Sequence, residues 1–495
     1  MMIAFALSPL LVVTIGGLLL MVIEAFSKNR SGFALGAAMI LFAAGAAAGA
    51  EWMFGVERID GARSVAPWLI VDRFTLFFDI VLCLGAGIAA VLAGGYLREH
   101  RIERGEFYAL LLFGTVGAMT LAGAGDAVTL FLGLETMSIG AYALTAFRRS
   151  NPRSAEGALK YFLLGSFAAA VLLYGFALIY GATGRTDLAG IGASARAAWD
   201  HGPLLIMGVV LVLVGIAFKV SAVPFHAWTP DAYEGAPTPT TTFMAVAVKA
   251  AAFAVLLRVL LTSFRDAGWT SWGSGWPPVI AGLAALTMTV ANLVAGRQES
   301  VKRMLAYSSI AHAGYVLVGV TAVMREPTEA TASVLYYLLA YTVSTGGAFA
   351  ALIACGSFGR EAVTYEDLSG LGKRNPVIAL AFSVFLISLA GIPPTAGFFG
   401  KWLVFKAAID AGLYWLAVLA LVNSVVGAYY YLRVLVSMYM REPAAGAPIA
   451  VPMRSGYVAT ALLVSAVLVF VLGLTPGGFL DATTTAAAFA VRGTE

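Results

Sequence analysis

Fourteen apolar runs follow one another along the 495 residues, and most are about as long as a helix that crosses a bilayer. A hydrocarbon core of about 30 Å takes about 20 helical residues. Separated by charges, proline or glycine, the runs cover 8–26, 33–54, 73–96, 107–123, 126–147, 155–181, 203–223, 239–262, 277–296, 301–323, 328–357, 376–412, 413–440 and 456–474. In lipid every backbone N–H and C=O must be bonded internally, so such runs are expected to be helices. The linkers are short, which predicts one all-α polytopic domain over 1–495 and no soluble domain. With 60% hydrophobic and 12% charged residues, the chain carries about half the charge of an average soluble domain.

A net charge of +4, with no basic run longer than the pair Arg148 and Arg149, excludes a nucleic-acid partner. Cys83 and Cys355 lie in apolar stretches with no nearby Cys or His, so structural zinc, iron-sulfur clusters and a disulfide framework are not expected. The first positive charges, Lys28 and Arg30, follow the first run, which argues against a cleaved signal peptide. Sixteen Lys and Arg residues fall in odd-numbered loops against eight in even-numbered loops and termini. That bias predicts odd loops inside and both termini outside. Between runs six and seven, Leu188, Ile191, Ala195 and Trp199 share a helical face and read as an interfacial connector.

Apart from Arg73, Lys302 and Arg303, which stand at run starts and are counted with the loops, seven bases lie within the runs: Lys160, Lys219, Lys249, Arg258, Lys401, Lys406 and Arg433. An ionisable side chain at bilayer depth is expensive unless paired or hydrated, so each is a functional candidate. Arg258, Lys406 and Arg433 lie near run ends, where snorkelling to the headgroups is the simpler account, and Lys160 admits either reading. Lys249 and Glu135 sit near the middle of their runs, and a carboxylate and an ammonium at matching depth are natural partners. His312 is equally central and suits a proton relay, with a hydrogen-bonded core histidine as the alternative.

Two lysines accompany interruptions. Pro224, five residues after Lys219, removes a helical donor and disfavours helix before it. The twelfth run would be about 55 Å as one helix. Its middle holds Pro393 and Pro394, with Lys401 just beyond, as expected of an unwound segment facing protein or water. Interrupted helices five runs apart predict inverted repeats, runs four to eight (107–262) against nine to thirteen (277–440). The first three helices (1–106) and the last (456–474) flank them. Direct sequence support is the likeness of Met137-Ser-Ile-Gly-Ala-Tyr142 to Ile310-Ala-His-Ala-Gly-Tyr315. Gly85-Ala-Gly87-Ile-Ala-Ala90 matches a loose dinucleotide fingerprint but lies inside a run, where it reads as helix packing. With no P-loop, haem motif or nucleophile elbow, the midplane line Glu135, Lys219, Lys249, His312 and Lys401 points to proton translocation driven from elsewhere.

The stretch Pro224-Phe-His-Ala-Trp-Thr-Pro-Asp-Ala-Tyr-Glu-Gly-Ala-Pro-Thr-Pro239 closely resembles the signature of the antiporter-like proton-pumping subunits of respiratory complex I, NADH-quinone oxidoreductase. Leu134-Glu-Thr-Met-Ser138, Ala158-Leu-Lys-Tyr-Phe162, Leu305-Ala-Tyr-Ser-Ser-Ile-Ala-His312, Asp367-Leu-Ser-Gly-Leu371 and Gly391-Ile-Pro-Pro-Thr-Ala-Gly-Phe-Phe-Gly-Lys401 resemble further family elements, so the likeness covers essentially the whole chain. Tyr233-Glu-Gly-Ala-Pro-Thr-Pro239, the lysine at 401 and the end soon after run fourteen resemble the N-type branch, of bacterial rather than animal mitochondrial form. The M-type branch usually has an acid at the second break, and the L-type branch a long lateral helix after its last spans.

The resemblance implies the antiporter-like fold and a subunit of a proton-translocating enzyme in the bacterial inner membrane. It further implies Glu135 and Lys219 as the pair that modulates the pumping lysine, Lys249 as the central carrier, and Lys401 as the lysine leading outward. Lys160 and His312 would extend the hydrophilic axis, with His226, otherwise a structural hydrogen-bonding residue, beside the first break. No cofactor is implied in this chain: flavin, iron-sulfur clusters and the quinone site would belong to partner subunits. The alternative is a subunit of a multi-subunit sodium/proton antiporter or membrane-bound hydrogenase, which shares the buried lysines.

Overall fold

The computed structural model describes residues 2–27, 32–55, 65–197, 202–443 and 451–492. Thirteen of the described helices are long and apolar enough to cross a membrane. In chain order these are α1 (Ser8–Phe26), α2 (Phe33–Phe54), α3 (Arg73–Glu99), α4 (Gly105–Ala122), α5 (Ala127–Thr145), α6 (Pro152–Thr183), α7a (Gly202–Val220), α8 (Thr238–Ser263), α9 (Pro277–Ala295), α10 (Val301–Ala322), α11 (Pro327–Ala354), α13 (Tyr414–Met440) and α14 (Gly456–Leu474). The remaining crossing consists of two shorter helices, α12a (Pro376–Ala390) and α12b (Ala396–Asp410). A short helix, α7b (Trp228–Gly235), completes the seventh.

Both interruptions fall where proline required them. The α7 break covers 221–227 and contains Pro224, and the α12 break covers 391–395 and contains Pro393 and Pro394. The freed backbone groups find partners inside the protein: Val223 N–H donates to Thr287 Oγ1 at 2.9 Å and Trp228 Nε1 to the Phe218 carbonyl at 3.2 Å. This is the condition for irregular backbone at membrane depth.

The repeat expected from the run count is visible at the helix starts. Asp126 caps α5 and forms an antiparallel bridge with Asp187, while Ala127 N–H donates to the Thr186 carbonyl. Five helices later Ser300 caps α10 and bridges Thr364, while Val301 N–H donates to the Val363 carbonyl. Five crossings reverse the direction of the chain, so the two bridges lie on opposite sides of the membrane. Within each repeat the helix before the cap packs closely on the capped one. A Cβ on Gly117 would stand 2.2 Å from Met137 N, and one on Gly314 2.6 Å from Met288 N.

The apolar windows of α8 and α11 are wholly enclosed by other helices and that of α10 nearly so, whereas α1, α2 and α14 are mostly open. The central helices therefore have protein as their surroundings, and polar groups on them do not face lipid.

Three expectations change. The connector Leu188–Ala197 does form a helix, but Leu188, Ile191 and Ala195 are buried against protein, and Ser263 Oγ donates to the Leu188 carbonyl at 2.9 Å. Its apolar face is covered by the end of α8; Trp199 lies outside the described residues. Arg258 does not snorkel: 3% exposed, it bonds Asp72 through both nitrogens at 2.6 and 3.0 Å, donates to Thr75 Oγ1 at 2.7 Å and lies over Phe74. Snorkelling fits Lys406, which is exposed and paired with Asp410, while half-buried Arg433 donates to the Gly296 and Gln298 carbonyls. Finally, a further helix, α15 (Gly477–Arg492), follows α14 and buries Thr483, Ala486, Ala487 and Ala490. Its Thr- and Ala-rich sequence lacks the apolar density of the other runs. Gly85 serves helix packing as expected, since a Cβ there would lie 2.9 Å from Val246 of α8. Lys28, Arg30, Arg58 and Arg63, which enter the charge count, lie outside the described residues.

Candidate functional site: a buried polar line

On α5, Glu135, Ser138 and Tyr142 recur at three- and four-residue spacing and so share one face. Lys219, near the end of α7a, reaches that face: its Nζ donates to Ser138 Oγ at 2.7 Å and lies 5.4 and 5.3 Å from the Tyr142 and Tyr161 rings. Tyr161 is held by stacking on Trp228 of α7b at 4.1 Å between centroids. The lysine that precedes the break therefore sits in an aromatic cage partly built by the helix that follows it, where ring faces favour a cation. Glu135 interacts with Lys219 through charge, but its Oε1 is buried without a hydrogen-bond partner. The partner of Glu135 is thus Lys219 and not Lys249, as equal depth alone suggested: depth ranks candidates along the membrane normal and carries no information about which faces meet.

Lys249 opens the regular part of α8 just after a π-helical turn, Met244–Val248. Such turns insert an extra residue and re-aim the side chains that follow. Its Nζ donates to Ser309 of α10 twice, to the carbonyl at 2.6 Å and to Oγ at 2.5 Å. It is 2% exposed, and its hydrogen bonds go to neutral oxygens.

One turn further along α10, His312 lies between two phenols, Nδ1 at 2.7 Å from Tyr337 Oη and Nε2 at 3.0 Å from Tyr431 Oη. Tyr431 Oη in turn lies 2.5 Å from Ser308 Oγ, beside the residue that holds Lys249. Both Lys249 and Lys401 act on His312 electrostatically. Between the imidazole and α12b, a cavity of about 10 Å³ is lined by Tyr337, Ser344, Ser388, Gly397 and Gly400 among others, enough for about one water.

Lys401 Nζ donates to the Ala390 carbonyl, freed by the break, and to Ser424 Oγ, both at 2.9 Å, and lies 5.1 Å from the Tyr315 ring. Tyr315 is held by Asn292 at 2.9 Å. Tyr142 under Lys219 and Tyr315 under Lys401 are the terminal residues of the two similar hexapeptides, so the short sequence likeness marks equivalent places.

The structure thus brings together Glu135 with Lys219, and Lys249 and Lys401 with His312; Glu135 is half-buried and the other four are buried, and the two remaining candidates lie elsewhere in the first repeat. Lys160 of α6, 43% exposed, pairs with Glu156 at 2.6 Å and Asp231 of α7b at 2.7 Å. Half-buried His226 is in the α7 break, with its Nδ1 unpartnered. Sequence reasoning missed the neutral members, Ser138, Ser309, Ser424, Tyr337 and Tyr431, because serines and tyrosines at membrane depth are common. It also missed a buried pair near the start of α10, Lys302 and Glu361, because both fall at loop edges.

Residues 124–427, which contain the whole line, match the family described as NADH:quinone oxidoreductase/Mrp antiporter, TM. The NADH-quinone oxidoreductase subunit N 1 of Sorangium cellulosum (strain So ce56) is 68% identical over 486 residues, covering 95% of this chain and 96% of that protein. A chain of respiratory complex I from Thermus thermophilus is 36% identical, with a TM-score of 0.79 over 96% of this chain and 99% of that one. A chain of the Mrp complex from Dietzia sp. DQ12-45-1b superimposes with a TM-score of 0.84 over 99% and 98% at 23% identity, a likeness of fold alone. Fold is common to both kinds of complex, whereas sequence identity over nearly the full length separates them, and by it the chain belongs to the NADH-quinone oxidoreductase subunit N family.

Proposed function

We propose that protons cross this membrane subunit of complex I along the buried line, with Lys249 as the central carrier. Glu135 and Lys219 form the pair that modulates it, His312 relays between Lys249 and Lys401, and Lys401 leads to the outer side. Lys160 and His226 assist at the inner edge. The chain is organised for this as three leading helices (1–106), a first repeat (107–262), an inverted second repeat (277–440) and a last membrane helix (456–474), in the inner membrane with both termini outside.

The observation that carries the reading is the ligation of Lys249. An ammonium buried at this depth, with hydrogen bonds to neutral oxygens and no bridging carboxylate among the described residues, can release its proton without leaving an unpaired carboxylate behind. Ser308, the chain neighbour of Ser309, then leads by hydrogen bonds through Tyr431 to His312, which lines the small cavity facing α12b. A change of charge at one amine acts on the next by Coulomb coupling, which is strong away from water. Electron transfer from NADH to quinone, with its flavin and iron-sulfur clusters, takes place in partner subunits and drives the cycle.

Lys249→Ala in the assembled complex tests the reading. Proton translocation coupled to NADH oxidation is expected to fall about tenfold or more, while NADH oxidation by an artificial acceptor continues. Unchanged translocation in intact complex would remove Lys249 from the path. Sodium-dependent transport without NADH oxidation would instead favour the antiporter reading.

A further inference from the structure

The signature segment Tyr233–Pro239 surrounds the start of α10, and its contacts there concern two adjacent cations. Arg303 faces outward, pairing with Asp231 at 2.8 Å and Glu234 at 3.0 Å. Lys302 faces inward: 1% exposed, it donates to the Ala236 carbonyl at 2.7 Å and pairs with Glu361 at 3.3 Å. Glu361, from the loop between α11 and α12a, also accepts from Thr238 Oγ1 at 2.6 Å and from Tyr96 Oη at 2.7 Å. His100 stacks on Tyr96 at 4.0 Å. The carboxylate thus ties the end of α3, the start of α8 and the start of α10 to one point.

Three features make this point more than a brace. First, Glu361 is 21% exposed while Lys302, Thr238 and Tyr96 are 1 to 2% exposed, so it alone of the group touches both water and the interior. Second, it stands over the path to the central amine. Thr238 and Thr242 are one turn apart on α8 with Lys249 two turns beyond, and Lys302 precedes Ser309 by two turns of α10, about 10 Å. Tyr233 of the same segment contacts Ser309. Third, a polar cavity of about 250 Å³ opens on the Arg303 side of the segment, lined by Arg153, Glu156, Asp231, Glu234, Gly235 and Arg303 and not by Glu361 itself. Gly235 and Arg303 are the chain neighbours of Ala236 and Lys302.

Resting on the assignment of Lys249 as carrier, we propose that Glu361 is the inner proton-loading group for Lys249 and that Lys302 is its latch. While the pair is closed, the carboxylate is ionised and blocks the path. When Lys302 turns to the Ala236 carbonyl alone, the carboxylate takes a proton from inner water. It then yields that proton through the hydroxyls beside α8 to the Lys249 amine and returns to the ionised form. Burial by itself would raise the Glu361 carboxyl, but Lys302, Thr238 and Tyr96 outweigh it and hold the closed pair below the usual carboxylate range. Loss of Lys302 is what lets the group load.

The test is Lys302→Met with Glu361→Gln in the complete complex, which removes both charges and leaves neither unpaired in the interior. Proton translocation per NADH is expected to fall about tenfold, with artificial-acceptor activity retained and translocation restored by formate on the inner side. Parental translocation, or a loss that formate does not restore, would reduce the pair to a structural brace. If this variant does not assemble, Glu361→Asp decides: a larger solvent deuterium isotope effect on translocation supports loading through this carboxyl, and a parental rate and isotope effect overturn it. Lys249→Ala without effect would sink the carrier itself, whereas loss in Lys249→Ala alongside parental translocation in the double variant would sink only Glu361.

Discussion

The two interrupted helices hold their lysines by different means. Lys219 has a hydroxyl, three aromatic rings and the charge of Glu135. Lys401 has a hydroxyl, one aromatic face and the carbonyl that its own break set free, and among the described residues no carboxylate pairs with it. Two residues before the matched hexapeptides, the position that carries Glu135 in α5 corresponds to Ser308 in α10, which bonds Tyr431 instead. The first repeat thus offsets its buried ammonium with charge and the second with dipoles. A charge can be switched by protonation, whereas a carbonyl cannot; under the proposed function this suits the first site to respond to a signal and the second to conduct.

The largest effect that could break this contrast is expected at Glu135. Glu135→Gln removes the compensating charge and should lower coupled translocation about tenfold. Ser424→Ala removes one of two neutral hydrogen bonds to Lys401, worth about 1 kcal/mol, and should cost roughly fivefold or less. Translocation measured against NADH oxidation in membrane vesicles ranks the two. Equal losses would mean that both lysines depend on their surroundings in the same way.

The breaks differ in backbone too. Gly391 has φ +86° and a Cβ there would lie 2.7 Å from Lys401 Cδ, so glycine is required on two counts. The left-handed residue of the first break is Ser221, at φ +65°, whose Oγ accepts from Thr229 Oγ1 at 2.8 Å. Gly391→Ala should destabilise the subunit by about 1–2 kcal/mol for the backbone alone, with further loss from displacing Lys401. Ser221→Gly relieves about 1 kcal/mol of the same strain and gives up a hydrogen bond of about that worth, for a net change near zero. Thermal dissociation of the purified complex separates them, and a large loss in Ser221→Gly would show that the hydroxyl and not the turn holds the first break.

Much of this was legible in the sequence because lipid simplifies the physics. A charge in an apolar run stands out at any position, and proline marks a break without reference to anything else, so the spans, the interruptions and the midplane bases could all be read directly. What could not be read depends on which faces meet. The pairing of Glu135 with Lys219, the burial of Arg258 against Asp72, and the enclosure of Leu188 and Ile191 by α8 are set by helix rotation and packing, which depth does not determine. Lys302 and Glu361 were invisible for a related reason: 59 residues apart and at loop edges, each looks like an ordinary surface charge until the loop between α11 and α12a is placed against the start of α10.

The smallest expected effect lies at the two bridges that start the repeats. In the first, both partners are carboxylic acids, Asp126 and Asp187; in the second, both are hydroxyl residues, Ser300 and Thr364. Burial alone would raise the Asp187 carboxyl, but Arg185 at 2.9 Å and the Gly190 amide at 2.7 Å outweigh it and hold it below the usual carboxylate range. A depressed folded-state value means that its contribution is present above the unfolded pKa, about 4, and lost as pH falls through the folded value. The first bridge should therefore loosen on acidification; the bridging side chains of the second are hydroxyls, and its carboxylate stands one step away, Asp367 accepting from Thr364 N–H at 2.9 Å and Oγ1 at 2.8 Å, so the two bridges set a carboxylate within the bridge against one beside it. Proteolysis of the complex between about pH 3 and pH 5 should expose the chain near 185–190 before that near 360–364. Asp187→Asn should weaken the first bridge slightly at neutral pH and remove the part of its acid dependence that Asp187 supplies. If the cleavage order is instead the same in both and independent of pH, the two caps are equivalent, and the asymmetry between the repeats is confined to their lysines.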